Sequence, residues 1–96
     1  MTFDEFAEIV KCAVVASAHD SGLKFNFVQD VWQWRRGVLV VTLGEQNGKA
    51  LVSYVAPQTG LFGARSSGQD FATNADGAEQ AATYIVAQLS SPNLYN

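Results

Sequence analysis

Residues 38–57 read VLVVTLGEQNGKALVSYVAP, and this stretch decides the fold. Residues 38–43 are β-branched and apolar on both faces, which predicts a strand at the centre of a sheet. Residues 44–48 are the expected hairpin connection, because they end in an Asn-Gly pair that readily adopts the positive φ of a tight turn. The returning strand is predicted over residues 49–56, since Pro57 cannot donate to a sheet ladder.

An amphipathic helix is predicted ahead of this hairpin, over residues 3–20. Thr2 and Glu5 have the spacing of an N-terminal capping box. Gly22 follows the predicted helix, and a glycine there can adopt the left-handed conformation that often ends a helix. Apolar residues recur at the spacing of one helical face. They are Phe3, Phe6, Ile9, Val10, Ala13 and Val14.

Between the helix and the hairpin, the period of the apolar residues changes from 3.6 to 2, which predicts strands. Residues 23–27 form the first of them, and residues 29–30 the turn that follows. Residues 31–36 alternate again, so Trp32 and Trp34 should share one side of their strand.

Two connections are left open by the sequence. Gly37 fits either a bulge or a second tight turn. Residues 57–73 are polar and rich in Gly and Ser, and longer than a usual connection of about 4–6 residues. They form either a functional loop or a loop that conceals a short strand, for which residues 69–73 are the best candidate.

A second helix is predicted at the end of the chain, with Thr73 or Asn74 as its cap and Asp76 in its first turn. Its buried stripe is Ala78, Ala81, Ala82, Ile85, Val86 and Leu89. The expected fold is therefore a single α+β domain over residues 1–96. It has an N-terminal helix, an antiparallel sheet of three to four strands, and a C-terminal helix packed on the sheet.

Composition limits the function. Hydrophobic residues make up 48% of the chain and charged residues 16%, as in a globular protein with sparse surface charge. Cys12 and His19, the single Cys and His, lie about 10.5 Å apart along the first helix, too far for a nucleophile–base pair. We therefore expect no enzyme activity, no cofactor and no metal site. The acidic N-terminus and short apolar runs predict a cytoplasmic protein that does not enter a membrane.

The charge is distributed unevenly along the chain. The net charge is −3 over residues 1–22, +3 over residues 23–66 and −3 over residues 67–96. The basic middle segment contains the distinctive run Trp32-Gln33-Trp34-Arg35-Arg36. Tryptophan and arginine are enriched in protein–protein hot spots, and aromatics beside arginines can also stack bases and hold phosphates. A third possibility is that both tryptophans pack beneath the helices.

A second candidate surface lies in the long loop. Leu61 and Phe62 are an apolar pair among polar residues, close to Arg65; they either fold back onto the core or contact a partner. The sheet is also apolar on both faces, and two helices on one face would leave the other exposed. Such a face is usually covered by a second copy of the chain or by another protein.

The sequence therefore predicts a non-catalytic protein–protein interaction module, such as an inhibitor, an adaptor or a chaperone-like protein. A phage or another mobile element is one origin that would fit. The partner is a protein or a second copy, in a homodimer through the sheet. The alternative is a nucleic-acid-binding domain that uses the basic residues 23–66, although the overall charge of −3 argues against nucleic acid.

The predicted element order, helix–strand–strand–strand–helix, is similar to that of the double-stranded-RNA-binding domain. That family has a lysine cluster at the start of its second helix, whereas the second helix here opens with residues 74–79, which include Asp76 and Glu79. The resemblance covers topology and none of the RNA-binding residues, so it implies no RNA-binding function. Small acidic secretion chaperones share the helix-first, strand-rich plan and are often dimers.

Overall fold

The computed structural model describes residues 1–20, 22, 27–30, 32–36, 39–57 and 64–90. The α+β class, the N-terminal helix, the antiparallel sheet and the C-terminal helix packed on it are confirmed. The sheet has five strands, where three to four were predicted. The elements are α1 Phe3–Asp20, β1 Val28–Asp30, β2 Gln33–Arg36, β3 Leu39–Gln46, β4 Lys49–Pro57, β5 Ala64–Phe71 and α2 Ala75–Ser90.

The strands form an antiparallel meander in which each strand pairs with the next one in the chain. β3 is the central strand, as predicted. β3 and β4 stay paired up to Gln46 and Lys49, which leaves a two-residue turn with φ of 54° at Asn47 and 76° at Gly48. The connection predicted over residues 44–48 is therefore too long, because the Asn-Gly pair alone closes a type I′ hairpin.

The first hairpin differs from its prediction. Gln29 and Asp30 lie in β1 instead of in a turn, and Asp30 pairs with Gln33. The turn falls two residues later, where Trp32 adopts a φ of 52°. The Trp32 carbonyl accepts a hydrogen bond from the Leu43 amide at 2.9 Å, so the turn is attached to the central strand. The pairing of β2 with β3 therefore places the turn at Trp32, and not at Gln29 and Asp30, the polar residues from which a turn was predicted.

The long C-terminal connection conceals a full strand. The predicted short strand over residues 69–73 overlaps only the end of β5, which has eight residues and pairs with β4 along its length. Ser and Gly disfavour strands, but the ladder with β4 satisfies their backbone groups and outweighs that preference. Of the strand predicted over residues 23–27, only Phe27 is described; it lies just before β1 and packs against the core. Gly37 lies outside the described residues.

Helix α1 has the predicted bounds. The Glu5 amide donates to Thr2 Oγ1 at 3.2 Å, and the Thr2 hydroxyl donates to Glu5 Oε1 at 3.2 Å. The first of these bonds satisfies the Glu5 amide, which has no hydrogen-bond acceptor within the helix. At the other end, Gly22 has a φ of 77° and its amide donates to the His19 carbonyl at 3.2 Å, as expected for a glycine stop.

Helix α2 begins at the second of the two predicted caps. Asn74 Oδ1 accepts a hydrogen bond from the Gly77 amide at 2.7 Å, whereas the Thr73 hydroxyl donates to the Gly48 carbonyl at 3.2 Å. Gly77 lies against the preceding chain so closely that a Cβ added to it would be 1.8 Å from the Ala72 carbonyl oxygen. The first turn of α2 is therefore packed directly on the residues that follow β5.

The core lies between the helices and one face of the sheet. α2 packs on β3, β4 and β5, and α1 lies along α2. Ile9, which the predicted stripe of α1 includes, is 40% exposed, because α1 turns Ala7 and Ala18 inward to approach its neighbours. Neither described helix is long and apolar enough to cross a membrane. The largest buried side chains are Trp34, Phe6, Leu39, Ile85, Leu89, Val10, Val14, Val41 and Val52.

Candidate functional site

The run from Trp32 to Arg36 does not form one surface, because side chains alternate across β2. Trp34 and Arg36 face the helices, and Gln33 and Arg35 point to the opposite side of the sheet. The register confirms this division, since Trp34 pairs with the buried Val41. The sequence therefore places the candidate residues next to one another, and the sheet separates them.

Trp34 belongs to the core. Its side chain has no exposed surface, and it lies in a cross-strand row with Val41 and Tyr54, both buried. A fully buried side chain cannot contact a partner in the folded chain, so the assignment of Trp34 to a binding surface is corrected. Trp34 Nε1 and the Nε2 of Gln29, its pairing partner in β1, are buried without a hydrogen-bond partner among the described residues.

Arg36, another residue predicted to bind a partner, contacts the end of α2. Its Nη1 donates to the Leu89 carbonyl at 2.6 Å, and the contact is partly buried. Leu89 is in the last turn of α2, which has no basic residue of its own. A cation at a helix C-terminus binds the free carbonyls and is favoured by the helix dipole. Arg36 thus ties β2 to the end of α2.

The other predicted residues have different positions. Trp32 lies in the turn between β1 and β2, half-buried against the margin of the core. Arg65 is a residue of β5, and its side chain is not among those that the structure describes. Leu61 and Phe62 lie outside the described residues altogether. Cys12 and His19 are both exposed on α1.

The surface that remains is the side of the sheet turned away from both helices, which we call the open sheet face. Two of its apolar side chains are strongly exposed, Val28 at 67% and Val55 at 45%. Cross-strand pairing sets Val28, Arg35, Val40 and Val55 in one continuous row. The described side chains of this face are Val28, Gln33, Arg35, Val40, Thr42, Gln46, Lys49, Leu51, Ser53, Val55 and Asp70.

A polar chain of hydrogen bonds runs beside this apolar row. Arg35 donates to Gln33 Oε1 from Nε at 3.1 Å and from Nη2 at 2.7 Å. Gln33 in turn donates from Nε2 to Thr42 Oγ1 at 3.4 Å. These bonds hold the guanidinium close to the sheet, where it can still pair with a carboxylate, because a guanidinium has five N–H donors.

The open sheet face was only partly foreseeable from sequence. The double-sided apolar pattern of residues 38–43 predicts an uncovered apolar face. Gln33 and Thr42 carried no signal of their own, because they lie nine residues apart and only the β2–β3 register brings them together. Pairing of that kind follows from the turn between two strands and not from the residue types.

Within the described ranges, no group of three or more His, Cys, Asp or Glu side chains is placed to hold a metal ion. No protein-family model, curated protein or solved structure matches the chain.

Proposed function

We propose that this chain is a non-catalytic protein–protein interaction module of the cytoplasm, and that the open sheet face is its binding surface. The partner is another protein or a second copy of the chain. The observation that carries the proposal is the exposure of Val28 and Val55 in one row on a sheet face that neither helix covers.

The size of the face fits this role. The five strands contain 32 residues in all, which at about 3.3 Å along each strand and about 4.8 Å between strands give a face of roughly 500 Å². A standard interface buries about 800 Å² on each partner, so the open sheet face supplies more than half of one. Single exposed valines are normal on a protein surface, but Val28, Val40 and Val55 share one cross-strand row with Arg35, and apolar side chains grouped in this way are typical of an interaction site.

The polar residues of the face favour a protein partner over nucleic acid. Arg35 is the exposed arginine of this face, and it is already held by Gln33. Trp34 and Arg36, which a base-stacking surface would use, lie on the helix side of the sheet. An arginine fixed beside apolar side chains fits the pattern of a protein hot spot, in which a charged anchor is surrounded by contacts that exclude water.

The test compares two substitutions of the same residue type at the same exposure. Val55 on the open sheet face is 45% exposed and Val15 on α1 is 46% exposed. We expect Val55→Lys to abolish binding, because it buries an unpaired ammonium group in the interface. Val15→Lys should leave binding unchanged. Self-association is measured by size-exclusion chromatography with light scattering, and a heterologous partner by pull-down and mass spectrometry.

Two results would contradict the proposal. One is a monomer that retains no partner at any concentration. The other is an equal loss of binding in both variants, which would place the interface elsewhere. The nucleic-acid alternative predicts instead an affinity that falls steeply with salt, which a titration with single- and double-stranded oligonucleotides measures directly.

A further inference from the structure

The two edges of the sheet are unlike each other. β1 has three residues and β5 has eight, and each forms one edge. Natural sheets protect an edge by keeping its strand short, as β1 is, or by covering it. In the described part of the chain no strand pairs with the outer side of β5, so its alternate N–H and C=O groups face outward.

A groove of about 660 Å³ runs along this edge, between β5 and α2. Its floor is aromatic, since the rings of Phe71 and Tyr84 lie 5.7 Å apart and are tilted by 58°. Pockets of this size are typical of sites that take a ligand or a peptide side chain. The groove is lined by Gln69 and Phe71 from β5 and by Asp76, Glu79, Gln80, Thr83, Tyr84 and Ala87 from α2.

The groove is negatively charged. Asp76 and Glu79 line it, and α2 contains no basic residue. No Lys, Arg or His follows Arg65 in the sequence. A cationic side chain in the groove would meet two carboxylates at its rim and an aromatic floor, and both attract a cation.

We propose that this groove binds an extended basic peptide segment of a partner protein, which adds to β5 as a sixth strand. The backbone of the peptide pairs with the outer edge of β5, and alternate side chains, Lys or Arg, enter the groove beneath α2. This mode obtains affinity from main-chain hydrogen bonds and specificity from alternate side chains. The site is distinct from the open sheet face and does not depend on it.

A second copy of the chain is a poorer occupant of the same edge. Pairing β5 with β5 of another copy would bring two sets of acidic groove residues, Asp76 and Glu79, to one interface. Like charges placed side by side are unfavourable and are a known means of rejecting a partner. A basic peptide relieves that repulsion.

The test uses a defined probe, the blocked octapeptide (Lys-Val)4, titrated into ¹⁵N-labelled full-length protein. We expect saturable shifts of backbone amide signals in β5 and α2. A (Glu-Val)4 peptide should not bind, and (Lys-Val)4 methylated at alternate backbone nitrogens should lose binding, because it cannot form the ladder. The peptide controls use the unaltered protein, so they hold even where a variant fails to fold.

A pair of variants with the same change in net charge tests the location. Glu79→Lys with Gln80→Lys reverses the charge of the groove, and we expect the affinity to fall about two- to tenfold, because one exposed ion pair is lost and the two new ammonium groups repel the peptide. Glu8→Lys with Ala16→Lys makes the same change on the exposed side of α1 and should leave the affinity unaltered. Far-UV circular dichroism checks the fold of both.

Three results would overturn the inference. The first is the absence of saturable shifts with the basic peptide. The second is a set of shifts centred on the open sheet face, which would make that face the peptide site. The third is non-specific attraction of a cation, which either equal weakening in both charge variants or binding of the N-methylated peptide would reveal.

Discussion

Replacing Gly77 by alanine should destabilise the protein, although the same change in an ordinary helix stabilises it. Alanine is favoured over glycine in a helix interior by about 1 kcal/mol. At Gly77, however, the added Cβ would lie 1.8 Å from the Ala72 carbonyl oxygen and 2.8 Å from its carbon. The obstacle is backbone, and that oxygen also accepts a hydrogen bond from the Asn74 amide at 2.9 Å. The start of α2 must therefore shift.

The magnitude follows from three contributions. Overpacking in a tight site costs about 1–3 kcal/mol, and losing the bond to the Ala72 carbonyl costs about 1 kcal/mol more. The gain in helix propensity offsets about 1 kcal/mol of this. The expected loss is about 1–3 kcal/mol, a large part of the roughly 5–10 kcal/mol that stabilises a chain of this size.

Urea unfolding followed by circular dichroism measures this loss as a lower midpoint at unchanged slope. In thermal unfolding the midpoint should fall by at least about 4 °C. The control is Gly44→Ala, because a Cβ there meets nothing within 4 Å; that variant should equal the wild type or gain up to about 1 kcal/mol. A Gly77→Ala protein as stable as the wild type would refute the close approach of α2 to Ala72.

Four further variants test the structural roles proposed for residues of β2. Trp34→Ala should cost about 3–5 kcal/mol because it empties a core site. Trp34→Phe should cost only about 1–2 kcal/mol, since the lost indole N–H has no partner among the described residues. A Trp34→Ala protein of normal stability would contradict the burial of Trp34 in the core. Arg36→Met should lower the free energy of unfolding by about 1–2 kcal/mol through the lost bond to Leu89. Arg35→Met, on the opposite face of β2, should change the free energy of unfolding by less than about 0.5 kcal/mol. Urea unfolding of the four variants measures all these differences, and equal effects at Arg35 and Arg36 would contradict the assignment.

The helices and the central hairpin could be predicted because their determinants are local. The capping contact of Thr2 with Glu5, the glycine stop at Gly22 and the Asn-Gly turn at residues 47–48 each act within a few residues. Helical periodicity then identified the buried stripe of α2 and most of that of α1. The exceptions are Ile9, which is exposed, and Ala7 and Ala18, which are buried although the predicted stripe omits them. The rotation of α1 about its axis depends on how it packs against α2.

β5 could not be predicted with the same success. Its residues have little strand preference, and the strand exists because eight of them pair with β4. The turn at Trp32 has the same origin, since its carbonyl is held by the Leu43 amide of β3. In both places the ladder between strands outweighs the local preference of the residues.

The sequence by itself determined the α+β class, the limits of α1, the presence of α2, the central strand and the concentration of Trp and Arg around β2. Tertiary structure alone decided what those residues do. The twofold alternation of β2 sends Trp34 and Arg36 toward the helices and Arg35 to the open sheet face. Which side the helices would cover depends on contacts between residues far apart in the chain, and short-range patterns do not encode them. The same contacts leave the open sheet face and the edge of β5 as the two surfaces proposed for partners.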